Sequence, residues 1–181
     1  MQVGIGLSNG LDTFIEVIKE LKDNKFIHFV IAGNGGLREK YLKDLEGYNN
    51  VQFLGKVEQK EVKNILAKCS ILYFAALKSK VWQYGWSPNK LIDYMISGKP
   101  ILASYSGYQS MINEANSGIF VPAEDKESLL KGINIMASMP QNELEAMGTR
   151  GREWLIENRQ WETLANNYIS ILNKLAFNKK H

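Results

Sequence analysis

The chain has 181 residues, of which 45% are hydrophobic and 23% charged, and 22 basic against 19 acidic residues leave a net charge of +3. That composition belongs to one globular domain or a piece of a larger protein, and it excludes a disordered tail, a collagen-like array and a coiled coil. The basic excess is mild and unclustered, which fits an anionic ligand or a membrane surface and gives no reason to expect a nucleic-acid partner.

Taken in chain order, Met1 to Ile5 is too short and glycine-rich for a full strand and reads as the stub of one, so a further, upstream domain is expected. Leu11, Phe14, Ile15, Ile18 and Leu21 share one helical face, and Phe26, Ile27, Phe29, Val30 and Ile31 then form an apolar run that predicts a buried strand. The strand ends in Ala32-Gly33-Asn34-Gly35-Gly36, where glycine supplies positive φ and close backbone approach, and a helix is predicted to begin near Leu37. Val51 to Gly55 is the next strand, Val62, Ile65 and Leu66 mark the helix after it, and Ile71 to Ala75 is the third clear strand. A polar loop from Lys78 to Trp86 leads to a helix with Ser87 expected at the N-cap and Pro88 at the first helical position. That helix runs through Leu91, Ile92 and Met95 and stops at Gly98, with Pro100 beyond. Strands follow at Ile101 to Ser104 and Gly118 to Val121, and helices at Lys126 to Met136, Gln141 to Asn158 and Trp161 to Leu175. The alternation predicts an α/β fold, a Rossmann-like open parallel sheet with helices on both faces.

One cysteine, Cys69, excludes an internal disulfide and a multi-cysteine metal cage, which makes a reducing cytoplasm the expected setting. His28 and His181 supply neither a paired-histidine metal site nor a Ser-His-Asp triad, so no metal is expected. No run approaches the ~20 apolar residues of a membrane span, and Met1 to Asn9 lacks the pattern of a secretion signal. Contact with a membrane is expected to be peripheral at most. His28 is read as a core or sheet residue and Cys69 as a small buried residue at a helix end.

In an open parallel sheet, ligands bind outside the carboxyl ends of the strands, which selects the loops Gly33 to Gly36, Gly55 to Glu58 and Lys78 to Lys90. The third leads into Trp86-Ser87-Pro88-Asn89-Lys90-Leu91-Ile92-Asp93. Free amides at that helix start act as roughly half a positive charge, Lys90 adds an exposed cation, and Asp93 lies one turn beyond Asn89. The amides suit phosphates, and the carboxylate suits a pair of sugar hydroxyls. A plain Ser-Pro helix start with a dipole-compensating Asp is the alternative, and the Gly33 loop, which lacks G-x-G-x-x-G spacing, is equally a tight turn. Trp82, Tyr84 and Trp86 suit stacking on a sugar or base as well as anchoring of the loop to the core or to a missing domain.

Ser87-Pro88-Asn89-Lys90-Leu91-Ile92-Asp93-Tyr94-Met95, running on to Gly98-Lys99-Pro100, resembles the donor-site segment of family 4 (group 1) glycosyltransferases of the two-domain GT-B fold. Gly6 to Asp12, Ile31 to Gly35 and Val51 to Val57 extend the resemblance over nearly the whole chain, and it is nearest to a bacterial subgroup that builds O-antigen, capsule and related surface polysaccharides. The resemblance implies that residues 1–181 form a single C-terminal domain binding a nucleoside diphosphate sugar, uridine-based, as donor substrate, without a cofactor or metal. It implies that Ser87, Pro88, Asn89 and Lys90 hold the diphosphate, with Trp86 also among the substrate-binding residues, that Asp93 binds the ribose, and that Gly33, Gly35, Lys56 and Val57 lie by the base. Gly85 stands where the motif's first glutamate falls in relatives, and Gly4 and Asn9 stand near the places of the usual diphosphate-clamping Arg and Lys, so Lys78 and Lys80 are candidate substitutes.

The relatives retain the sugar's configuration. Fixed amides aimed at the leaving diphosphate suit that chemistry, with the catalytic groups unassigned in this chain and the saccharide or lipid-linked saccharide acceptor on an N-terminal domain across a closing cleft. The chain alone is then expected to bind nucleotide and transfer no sugar. A stand-alone phosphate- or nucleotide-binding flavodoxin-like module and half of a nucleotide-sugar 2-epimerase are the rival readings.

Overall fold

The computed structural model describes residues 2–3, 10–85, 88–108 and 111–178. The strands are β1 (Gln2–Val3), β2 (Phe29–Ala32), β3 (Val51–Gly55), β4 (Leu72–Ala75), β5 (Ile101–Ser104) and β6 (Gly118–Val121). They are interleaved with α1 (Leu11–Glu20), α2 (Arg38–Asp44), α3 (Gln59–Ala67), α4 (Asn89–Ile96) and α5 (Met111–Glu114), and α6 (Lys126–Ser138), α7 (Gln141–Asn158) and α8 (Trp161–Asn178) close the order. Pairing is parallel throughout, in two three-stranded sheets ordered β1-β2-β3 and β4-β5-β6. β1 also lies against β4, so across the molecule the strands read β3-β2-β1-β4-β5-β6 and the winding reverses between β1 and β4. The predicted fold class is the one found.

Parallel strands covered on both faces must be apolar at every position, and β4 and β5 are buried along their whole length. Successive side chains go to opposite faces, which builds two cores from one sheet. On one face Tyr73 and Leu102 meet Leu11, Phe14, Ile15 and Ile18 of α1 and Leu129, Ile133 and Met136 of α6. On the other, Phe74 and Ala103 meet Leu66 of α3 and Leu91, Tyr94 and Met95 of α4. α7 serves both, with Leu144 in the first core and Leu155 in the second.

Three local expectations are corrected. The strand predicted from Phe26 begins only at Phe29, because the Asn24 side-chain oxygen accepts from the Phe26 and Ile27 amides at 2.8 and 3.0 Å and makes a turn there, leaving Phe26 94% exposed. His28 is exposed just ahead of that strand, neither core nor sheet. Cys69 is half-buried, and its thiol donates to the Ile65 carbonyl at 3.4 Å. The polar loop before α4 also holds an unpredicted 3-10 turn, Lys80–Tyr84, and α5 carried no periodic signal.

α4 ends as predicted at Gly98, which takes φ 69 and donates to the Met95 carbonyl at 3.0 Å. Behind it, α7 crosses so closely that a Cβ at Gly148 would meet the Gly98 carbonyl, and one at Gly151 would meet the Ser117 side chain at 2.7 Å. Gly148→Ala is therefore expected to destabilise the fold by about 1 to 3 kcal/mol, despite alanine's better helix propensity. Urea denaturation checks this, and an unchanged or raised midpoint would show that α7 does not bear on α4 in this way.

Candidate functional site

The winding reverses between β1 and β4, and in an open parallel sheet ligands bind beyond the carboxyl edge at such a point. Gly10, at the N-cap of α1 with φ 57, brings the end of the loop after β1 against the loop after β4, since a Cβ there would lie 3.2 Å from the Leu77 nitrogen and 3.3 Å from the Ala76 carbonyl carbon. The loop after β4 is a built segment. Trp82 donates its indole N–H to the Leu77 carbonyl at 2.8 Å, and its own carbonyl accepts from the Tyr105 hydroxyl at 3.1 Å and the Tyr108 amide at 2.9 Å. Glu124, held at φ 56, accepts from the Lys78 amide at 2.7 Å. Of the loop aromatics, Trp82 thus anchors, whereas Tyr84 is 85% exposed and free to stack.

This loop delivers the chain to α4. The start of α4 differs by one position from the expectation: Pro88, with φ −73 and ψ 134, is the N-cap, and Asn89 is the first helical residue. An extended ψ keeps Pro88 outside the helix, while its carbonyl accepts from the Leu91 amide at 2.9 Å. Proline has no side-chain oxygen, so the cap residue itself offers no acceptor to the first-turn amides, and the start of a helix carries partial positive charge. Trp86 and Ser87, both predicted here, lie outside the described residues.

Leu91, Tyr94 and Met95 bury one side of α4, which leaves Asn89 exposed and puts Lys90 and Asp93 at the half-buried border. Lys90 is not the solvent-facing cation that the sequence suggested. Its ammonium sits 4.9 Å from the centre of the Phe74 ring, and burial holds its pKa down to about 8. Asp93 stays accessible, one turn further along.

The other predicted residues gather at the same edge. Gly33 takes φ 120 and donates to the Gly55 carbonyl at 2.6 Å, which ties the loops after β2 and β3 together. Gly35 is exposed in the Gly33 loop, Lys56 is exposed after β3, and Val57 packs on the second core. Gly85, at the place of the motif's first glutamate, has φ 102 and open space where a side chain would stand. Gly4 and Asn9 lie outside the described residues.

Sequence reasoning missed Arg38. This first-turn residue of α2 is half-buried, its Nη2 lies 4.0 Å from where a Gly55 Cβ would be, its Nη1 donates to Glu39 at 3.0 Å, and its Nε is buried with no partner among the described residues. The signal was available: a cation in a helix's first turn opposes the dipole and asks for a local reason.

The profile of the family described as glycosyl transferases group 1 matches residues 4–139. The chain belongs to the group 1 glycosyltransferases. It is 25% identical over 174 residues to an uncharacterized glycosyltransferase of Methanocaldococcus jannaschii, covering 94% of this chain and 42% of that protein. It is 22% identical over 171 residues to a putative colanic acid biosynthesis glycosyltransferase of Salmonella typhimurium, covering 92% and 42%. The chain thus spans about two fifths of the length of these curated relatives. Among solved structures, S. aureus TarM in complex with fondaparinux, alpha-GlcNAc-glycerol and UDP matches with a TM-score of 0.74 at 20% identity, over 94% of this chain and 35% of that one. Anabaena HepE in complex with UDP matches with a TM-score of 0.66 at 14% identity, over 96% and 47%. The shared fold is one half of a GT-B glycosyltransferase.

The depressed pKa of Lys90 carries a sign. Its ordinary value is 10.5, so below about pH 8 the native state keeps a buried ammonium that the unfolded chain solvates freely. The burial cost of the Lys90 charge is therefore expected to fade between pH 8 and 10.5, so that the stability of Lys90→Met relative to the unaltered chain falls across that range. Thermal melts of both proteins across that range check it, and a stability difference that does not change with pH would overturn it.

Proposed function

We propose that this chain is the C-terminal, donor-binding half of a retaining GT-B glycosyltransferase that uses a UDP-sugar in surface-polysaccharide synthesis, O-antigen or capsule. The observation that carries the reading is the start of α4 at the switch point of the sheet, with Lys90 and Asp93 on the same helix. The start of α4 and Lys90 are assigned to the diphosphate, Ser87 and Trp86 to the donor site by their sequence positions, and Asp93 to the ribose hydroxyls. Gly33, Gly35, Lys56 and Val57 border the base, where Arg38 adds a further cation. The uridine preference draws support from HepE and TarM, whose structures hold UDP, and the polysaccharide role from the colanic acid relative.

The chemistry follows from charge. As the glycosidic bond breaks toward an oxocarbenium-like state, the departing diphosphate gains negative charge, and amides already aimed at it lower the barrier without reorganising. The scheme calls for no metal and no nucleophile from this chain. An anion against Lys90 restores the proton that burial disfavours, so the same desolvation that weakens the lysine's charge strengthens its pairing with phosphate. The absence of a side chain at Gly85 leaves the donor-sugar end of the site open.

The acceptor, a saccharide or lipid-linked saccharide, belongs on an N-terminal domain across the crevice, and α8 is suited to pack on that domain. Trp161, Tyr168, Ile171, Leu172 and Leu175 are all exposed, with Trp161 at 88%. Their spacing makes one apolar face, and the opposite side carries Asn166, Asn167, Ser170 and Asn173 in place of the Lys and Arg of a membrane-surface helix. No described helix is long and apolar enough to cross a membrane, and any membrane contact is peripheral in this reading.

Calorimetry on the isolated chain tests the site, with UDP expected to bind and GDP to bind less tightly. Asp93→Ala is expected to cost about 1 to 3 kcal/mol of UDP binding, roughly 5- to 150-fold, as lost charge-assisted hydrogen bonds. Unchanged affinity would remove Asp93 from the ribose. Affinity should also fall as pH rises above about 8, because Lys90 must then take up a proton to pair with phosphate, and Lys90→Met should abolish that dependence. Sugar transfer by the isolated chain would overturn the division of labour.

A further inference from the structure

Among the described residues only two besides glycine take a positive φ, Asn116 at 47 and Glu124 at 56. Asparagine tolerates the left-handed region because its short amide bonds to nearby backbone, whereas a glutamate there carries a steric cost that glycine would avoid. Comparable turns at residues 10, 55, 85 and 98 are all made by glycine. Glu124 is therefore strained, and such strain persists where the surroundings hold it and the side chain has a task.

That task is a contact between distant loops. β5 lies between β4 and β6, and in register Ala75 pairs with Ser104 and Ser104 with Val121. Lys78 and Glu124 each stand three residues beyond that row, in the loops after β4 and β6. Residue 124 is fixed from both sides: the Ala123 amide donates to the Ser106 hydroxyl at 2.9 Å, and Asp125 caps α6 by accepting from the Ser128 amide at 2.9 Å. Between these two fixed neighbours, the Glu124 side chain reaches back across β5, and its Oε2 accepts from the Lys78 amide at 2.7 Å. Compensation of the α6 dipole does not account for the residue, because Asp125 already supplies the acid at that helix start.

The Lys78 amide lies at the head of the segment that leads to α4. Ser79 follows it and accepts from the Val81 amide at 3.3 Å, which starts the 3-10 turn. Within that turn the single Trp82 carbonyl accepts from the Tyr105 hydroxyl, the Tyr108 amide and the Gly85 amide, at 3.1, 2.9 and 3.2 Å. Trp82 thus ties the far part of the segment to the loop after β5, and Glu124 ties the near part to the loop after β6.

We propose that Glu124 is a positioning residue for the carboxyl-edge site: its carboxylate holds the Lys78 amide, and with it segment 78–85, on the path that delivers the start of α4. The left-handed backbone at residue 124 is the cost of that reach. The proposal rests on the reading that the start of α4 holds the donor diphosphate, and it gives the loop after β6, which supplies no contact in that reading, control over the affinity of the site.

The test compares the 181-residue chain with three variants by amide exchange, calorimetry with UDP and thermal melts. Glu124→Gly removes side chain and strain together, Glu124→Asn tolerates the same φ but is one methylene too short, and Glu124→Gln keeps an acceptor oxygen without the charge. The Gly and Asn variants are expected to speed exchange of the Lys78 amide about tenfold and to weaken UDP binding about fivefold, the Gly variant with Tm unchanged or raised. The Gln variant is expected to stay within about twofold of the unaltered chain in both readings. Weaker UDP binding together with a lowered Tm in the Gly variant, and no rescue by Gln, would make Glu124 an ordinary loop-stabilising residue and overturns the proposal. Unchanged UDP affinity in both the Gly and Asn variants also overturns it, while leaving the donor site in place. Failure of the unaltered chain to bind UDP overturns the donor-site reading itself, and this proposal with it.

Discussion

The structure depends on the position of one short helix. α4 has eight residues, too few to be stable alone, and is held by burial of Leu91, Tyr94 and Met95 against β4 and β5. At its carboxyl end Gly98 turns the chain, and Gly148 lets α7 approach that turn closely. At its amino end the Trp82 anchor and the Glu124 bond to the Lys78 amide form the loop that feeds it. Contacts on three sides thereby place a set of first-turn amides at the one edge where a parallel sheet leaves room for a ligand.

The electrostatics of that edge follow from the same packing. Burial against Phe74 lowers the Lys90 pKa to about 8, within reach of neutral pH. Arg38 on the neighbouring rim is also partly withdrawn from water, with a buried Nε that no described residue satisfies.

The two edges of the sheet differ in what they lack. The carboxyl edge is built, with glycines at Gly10, Gly33 and Gly85 in the left-handed region and loops tied by short hydrogen bonds. The amino edge between β2 and β4 holds a cavity lined mainly by apolar side chains.

The alternation of apolar runs and amphipathic helices was enough to determine the fold class, most element positions and the segment that leads into α4, because burial on both faces of a parallel sheet writes itself into composition and period. Local competition hid other features. An Asn24 turn trimmed the predicted strand before Phe29, and a proline whose ψ stayed extended shifted the start of α4 by one residue. Only tertiary structure decided that Lys90 lies over Phe74, that Arg38 reaches Gly55, and that Trp82 anchors while Tyr84 stays exposed. These depend on distances between segments far apart in sequence, and periodicity along a chain carries no information about such distances.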